Sequence, residues 1–246
     1  MFNGYDRDRL TRECPFPGIP AYLNQVPAET LTIPGATVTN ICCTVDGGFT
    51  AEHVERCRPF IAAGLPVFVD KPLTDNAPDL RVFQDWIAAG KQIMSSNCMR
   101  YAKEFAPYRA STSELGALRF VSITTPKSWE RYGIHALESN YPILGPGFLS
   151  ARNIVHLKHR CGADVVVMAT GDMAGSFGCL QLCATAGHTA VAFGDSYFAF
   201  KAQLVVFIEF LRTGVRPFPF AETSELMRLV IAGIRSRNEG GREVLL

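Results

Sequence analysis

The sequence predicts an α/β protein: a partial parallel-sheet domain of the doubly wound type, followed by an α+β domain built on an open, largely antiparallel sheet. Two observations carry this prediction. Between residues 36 and 95, strand-like apolar runs alternate with helical periods at the spacing of βαβ units. Beyond residue 104, strand-like runs follow one another at short intervals across glycine-bearing turns, and short loops require antiparallel neighbours. The domain boundary is therefore placed near residue 104, giving 1–104 and 105–246.

Residues 1–34 carry Pro15, Pro17, Pro20, Pro27 and Pro34 among polar neighbours and predict irregular structure, with a helical turn near 21–23. Residues 36–45 read as a strand, broken by Asp46-Gly47-Gly48. Thr50 suits the cap of a helix over 51–63, with Val54, Cys57 and Ile61 on one face and Gly64 at a left-handed stop. Val67, Phe68 and Val69 form an unbroken β-branched and aromatic run, the pattern of a strand covered on both faces. A second helix, capped by Thr74 or Asp75, runs to about Ala89 with Leu80, Phe83 and Ile87 inward and Gly90 closing it. Residues 92–95 complete this half as a third strand. A short helix near 103–109 leads into the second domain, whose strands are expected at 118–124, 154–158, 163–170, 177–185 and 189–193. A helix over 133–144 interrupts them, and helices over 197–212 and 222–237 close the chain.

Composition narrows the function. With 24 Lys plus Arg against 23 Asp plus Glu, the formal charge is +1, and no block of like charge favours nucleic acid or an anionic membrane. No apolar run approaches the roughly 18 residues of a membrane span, and the first residues lack the apolar core of a signal peptide, so a cytoplasmic protein is expected. The eight cysteines, at 14, 42, 43, 57, 98, 161, 179 and 183, form no Cys-x-x-Cys pair and read as reduced, buried small hydrophobes. Neither they nor the five histidines show metal-ligand spacing, and no metal site is assigned.

Chemistry is expected where the strand at 67–69 ends in Asp70, Lys71 and Pro72, because ligands of open α/β sheets lie outside the carboxyl ends of their strands. The plainer alternative is a solvated turn. Asp46-Gly47-Gly48 follows a strand and opens a helix, but two adjacent glycines do not supply the three separated ones a dinucleotide loop needs. The glycine-rich stretch 171–178 lies between two strands and reads as a hairpin loop. His135, near the start of the helix expected at 133–144, is a candidate neutral proton-exchanging group, since a helix amino terminus disfavours the charged imidazole. Its alternative role is to satisfy a helix end or a core hydrogen bond.

The succession of Ala-Glu-His-Val-Glu at 51–55, Gly-Leu-Pro-Val-Phe-Val-Asp-Lys-Pro-Leu at 64–73, Arg100-Tyr101, Gly-Ile-His at 133–135 and Ser236-Arg237 resembles the Gfo/Idh/MocA oxidoreductases. That resemblance implies a Rossmann cofactor domain, an open-sheet substrate domain, and NAD or NADP as cofactor. It further implies hydride transfer on a hydroxyl of a sugar, cyclitol or related small molecule, and a homo-oligomer formed through the carboxyl-terminal sheet. Lys71 and His135 stand at the positions of the catalytic lysine and general acid/base. Asp70, Lys71 and Pro72 stand at the cofactor motif, where relatives usually carry Glu-Lys-Pro, with Thr44 and His53 also on the cofactor side. Arg100, Tyr101, Arg131 and Tyr132 fall on the substrate side. Relatives commonly have Asp four residues before the histidine, where this chain has Arg131. The resemblance also calls for a first strand, a Gly-x-Gly-x-x-Gly loop, a helix and a second strand before residue 36, and residues 1–35 contain none of these. The expectation is thus an incomplete Rossmann-type domain with weakened dinucleotide affinity. The alternative function is that of a truncated, non-catalytic relative serving as a binding or assembly subunit.

Overall fold

The structure, a computed structural model, describes residues 31–33, 36–38, 41–42, 52–126, 128–152, 155–169 and 178–246; up to residue 42, and at Arg131 and Arg152, it describes the backbone alone. β1 (Leu31–Ile33) and β2 (Ala36–Val38) form a two-stranded antiparallel ribbon. β3 (Ile41–Cys42), α1 (His53–Ala62), β4 (Val67–Val69), α2 (Ala77–Ala88) and β5 (Ile93–Met94) follow, and the three strands make a parallel sheet in the order β3-β4-β5. The single strand expected over 36–45 is therefore two: residues 36–38 turn back on β1, whereas Ile41 and Cys42 pair with Phe68 and Val69 of β4.

Three-ten turns at Cys98–Tyr101 and Lys103–Phe105 and the short helix α3 (Ala106–Ala110) lead out of this sheet. The second sheet contains β6 (Leu118–Thr125), β7 (Phe148–Arg152), β8 (His156–His159), β9 (Asp164–Ala169), β10 (Cys179–Ala184), β11 (His188–Ala192) and β12 (Val244–Leu245). Its order is β11-β10-β6-β9-β8-β7-β12, and every neighbouring pair is antiparallel except β6 with β9. That parallel pair is possible because α4 (Trp129–Leu144) lies in the long connection between its strands. β9 and β10 are not neighbours, since β6 stands between them, and the stretch read as a hairpin loop, 171–178, lies outside the described residues except for Gly178.

Sequence periodicity accounts for the helices. Val54, Cys57 and Ile61 of α1 and Leu80 and Phe83 of α2 are buried at helical spacing. Gly64 and Gly90 follow these helices at φ +74 and +79, the left-handed geometry that glycine adopts without a Cβ penalty. The α2 cap is Asn76, whose side chain accepts from the Asp79 backbone, rather than Thr74 or Asp75; Thr50 lies outside the described residues, and α1 starts after Glu52. In β10 the period of two places Cys179 on the face away from the core, and Cys161 sits on a turn, so both are exposed rather than buried.

α5 (Ser196–Thr213) and α6 (Phe220–Asn238) complete the chain. α5 returns to the parallel sheet, where Phe207 and Phe210 pack with Phe68 and Met94. α6 packs on α4, α2 and β7. One apolar cluster runs from Val54 and Phe83 through Ile134, Leu137 and the seven-stranded sheet to Leu226 and Val230. Among the described residues, no helix is long and apolar enough to cross a membrane.

Candidate active site

β4 is the middle strand of the parallel sheet, and Val67, Phe68 and Val69 are all buried. Backbone pairing on both sides holds the strand rigid up to the point where Asp70 and Lys71 leave it half-buried. The Lys71–Pro72 peptide bond is cis. The loop beyond is tied down from two helices. His53 of α1 is fully buried, and its Nδ1 donates to the Leu73 carbonyl at 2.9 Å. From α6, Met227 Sδ accepts the Thr74 backbone N–H at 3.4 Å. Burial holds the His53 pKa below its usual value, so the ring is a neutral donor at this bond.

α4 brings the second half of the site. Tyr132 and His135 are three residues apart and therefore share a helix face, with ring centroids 4.8 Å apart. The Lys71 ammonium lies over the Tyr132 ring, 5.2 Å from its centroid. A lysine at a strand end and a histidine from a helix more than sixty positions later in the chain thus meet through one aromatic ring. The imidazole of His135 is buried, at 2% exposure, while Tyr132 remains half-buried. α4 begins at Trp129, four residues before the expected start, so His135 is its seventh residue; the dipole argument for a neutral imidazole at a helix amino terminus does not apply. Cys98, near Lys71 and Asp70, is no competing nucleophile: burial pushes its thiol up to about 12.

Arg100 does different work. It is 7% exposed; its Nε donates to Glu138, one turn beyond His135, and its Nη1 donates to Glu222 of α6 at 2.7 Å. Its guanidinium stacks 4.0 Å over Phe218. Burial opposes the charge on Arg100, but the Glu138 charge and the hydrogen bonds to Glu222 and Glu138 outweigh it and raise the guanidinium pKa. The Asn97 N–H also donates to Glu138, at 3.2 Å, so the turn at 97–100 is fastened to α4. Arg100 and Tyr101 line an open cleft of about 430 Å³ with Tyr141, Phe218 and Glu222, and none of Lys71, Tyr132 and His135 lines it. Tyr101 donates to Ser96 Oγ at 3.4 Å, and burial pushes its hydroxyl up to about 12.

Arg131 lies on α4, and Thr44 and the 46–48 turn lie outside the described residues. Glu130, beside Arg131, is ion-paired to Arg237 of α6. Sequence reading missed Glu138 and Glu222, although the spacing of three from His135 to Glu138 was a usable signal of a shared helix face. Among the described residues, no three His, Cys, Asp or Glu side chains converge as a metal cluster would require.

The fold has close counterparts among solved structures. A myo-inositol dehydrogenase from Corynebacterium glutamicum is 18% identical, with TM-score 0.68 over 81% of this chain and 78% of that one. A scyllo-inositol dehydrogenase from Lactobacillus casei is 10% identical, with TM-score 0.70 over 81% and 77%. An oxidoreductase from Agrobacterium radiobacter, solved with NAD+, L-tartaric acid and magnesium, is 15% identical, with TM-score 0.65 over 81% of both chains. No family model matches the sequence, and no curated protein matches it. The chain therefore has the two-domain fold of these dehydrogenases, as its motif resemblance implied.

Proposed function

We propose that the chain is an NAD(P)-dependent oxidoreductase acting on a hydroxyl of a sugar, cyclitol or related small molecule, with Lys71 and His135 as catalytic residues. The observation that carries this reading is the convergence of Lys71, Tyr132 and His135 where β4 ends. Residues 1–104 are assigned to the cofactor side and 105–246 to the substrate side.

The residues at the end of β4 fit the nicotinamide end of a dinucleotide. A half-buried carboxylate and a half-buried ammonium stand at the carboxyl edge of a parallel sheet, where such sheets bind ligands. Asp70, Lys71 and Pro72 would hold that end, and His53 would act on it through the Leu73 carbonyl; Thr44, also assigned to the cofactor, lies outside the described residues. When bound, the nicotinamide ring supplies the hydride acceptor. The other work falls to this chain. Lys71 favours the alkoxide over the hydroxyl through its positive charge, and His135 takes the hydroxyl proton. Tyr132 contacts both groups through its ring. Of the residues assigned to substrate by the resemblance, Tyr132 adjoins Lys71 and His135, Arg131 belongs to the same helix, and Arg100 and Tyr101 act from the separate cleft beside Glu222, through the turn fastened to Glu138.

Removing a general base of this kind costs about 10²- to 10⁴-fold in rate. His135→Ala and Lys71→Ala are each expected to lower the turnover of an accepted polyol to that extent while the circular dichroism spectrum is retained. Unchanged turnover in either variant removes that residue from the mechanism. The seven-stranded sheet exposes Leu149 and Met168, and we assign it the role of a homo-oligomer interface.

A further inference from the structure

β8 ends at His159, and a turn over 160–163 carries the chain into β9. Cys161 is exposed on that turn. Two bonds of opposite kind fix the tautomer of His159. The backbone N–H of Cys161 donates to Nδ1 at 3.3 Å, so Nδ1 carries a lone pair. Nε2 lies 3.2 Å from the Gly145 carbonyl, which can only accept, so Nε2 carries the proton. The Nδ1 lone pair therefore also faces the Cys161 sulfur, 3.0 Å away.

The imidazole is itself held in place. It is buried edge-on against Phe148, with ring centroids 4.9 Å apart. The loop that supplies the Gly145 carbonyl is anchored by Glu225 of α6, whose Oε1 accepts the backbone N–H groups of Gly147 and Phe148 at 2.7 Å each. The other oxygen of Glu225 accepts from the Tyr141 hydroxyl at 2.9 Å. Burial keeps the resting imidazole neutral, opposed by the Gly145 bond and the Glu225 charge and assisted by Arg160. The same carboxylate lies where it stabilises an imidazolium formed during reaction. An exposed cysteine, a base within hydrogen-bond reach of its sulfur and a fixed group orienting that base make up an activated nucleophile. Among the other cysteines with described side chains, Cys57 and Cys98 are buried, Cys183 is half-buried, and the sulfur of exposed Cys179 faces the Leu180 carbonyl at 3.8 Å.

We propose that the Cys161–His159 pair is a thiol-exchange site that takes up small disulfides. His159 Nδ1 accepts the thiol proton, and the Cys161 sulfur attacks one sulfur of the disulfide. A new S–S bond forms to that half as the old S–S bond breaks, and the departing thiolate collects the proton from Nδ1. Oxidation of Cys161 to the mixed disulfide is balanced by reduction of the departing half to a thiol, so no further reactant is needed.

The test incubates the full chain with glutathione disulfide at neutral pH, quenches aliquots with an alkylating agent, and follows each cysteine by peptide mass mapping, which also separates Cys14, Cys42 and Cys43. Cys161 is expected to form its adduct at least about tenfold faster than Cys179 in the same molecules, the low end of what a positioned base contributes. His159→Gln is expected to bring Cys161 down to the rate of Cys179 without changing Cys179 itself. A Cys161 rate no greater than that of Cys179, or one unchanged in a folded His159→Gln protein, overturns the proposal. If His159→Gln fails to fold, the comparison of Cys161 with Cys179 in the unsubstituted protein decides it alone.

Discussion

His53 shows how a residue can serve the site without facing it. Its Nδ1 restrains the Leu73 carbonyl, and its Nε2, also buried, has no hydrogen-bond partner among the described residues. Protonating the ring would bury an uncompensated charge, which is why its pKa is lowered from the ordinary 6.5. The unfolded chain takes up a proton that the folded chain refuses. This stability contribution is therefore complete above pH 6.5 and declines as pH falls below that value toward the lower folded one. Urea midpoints measured on either side of pH 6.5 should show a loss on acidification that is smaller in His53→Gln; an identical loss in both proteins would contradict this role. The other residues of the site tell a complementary story. Lys71 and His135 were legible because each interrupts an apolar pattern with chemistry, whereas the buried contacts of Arg100 with Glu138 and Glu222 were not, since nothing local links positions 100, 138 and 222.

At the scale of elements, α4 and α6 owe their close approach to two glycines. A Cβ on Gly133 would lie 2.4 Å from the Trp129 ring, and one on Gly233 would lie 2.5 Å from Trp129 Nε1. The indole fills the space both glycines leave, and its Nε1 donates to the Val230 carbonyl at 3.0 Å. Gly233→Ala overpacks this contact and should destabilise the fold by about 1–3 kcal/mol in denaturant titration, the usual cost of a forced methyl in a packed core. A change within a few tenths would show that the helices part freely. The same contact explains why the start of α4 was misplaced. Gly133 has the look of a boundary in sequence, yet it is an interior residue chosen for its missing side chain. The α2 cap was ambiguous for a related reason: Thr74, Asp75 and Asn76 can each cap, and the choice falls to the residue in extended geometry, Asn76, at φ −134 and ψ 149. β12 escaped notice because its partner, β7, lies 90-odd residues away, a pairing which no local period encodes.

Over the whole molecule, the architecture was legible at the level of its two sheets, because βαβ spacing and short-loop strands require different neighbours. The order β11-β10-β6-β9-β8-β7-β12 was not, since it sets strands distant in sequence, such as β6 and β9, side by side, which no local period encodes. If the outer face of this sheet joins copies of the chain, sedimentation equilibrium should give a mass above that of the 27.0 kDa monomer, and Met168→Lys should return it to one chain. A monomeric unsubstituted protein would withdraw the interface. The central claim is that the carboxyl edge of β4 receives a nicotinamide dinucleotide beside Lys71 and His135. Calorimetric titration of the full chain with NAD+ and with NADP+ up to millimolar concentration tests it most directly. Saturable binding of one of them, weakened in Asp70→Ala, is the predicted result; the absence of binding by either at millimolar concentration would contradict it.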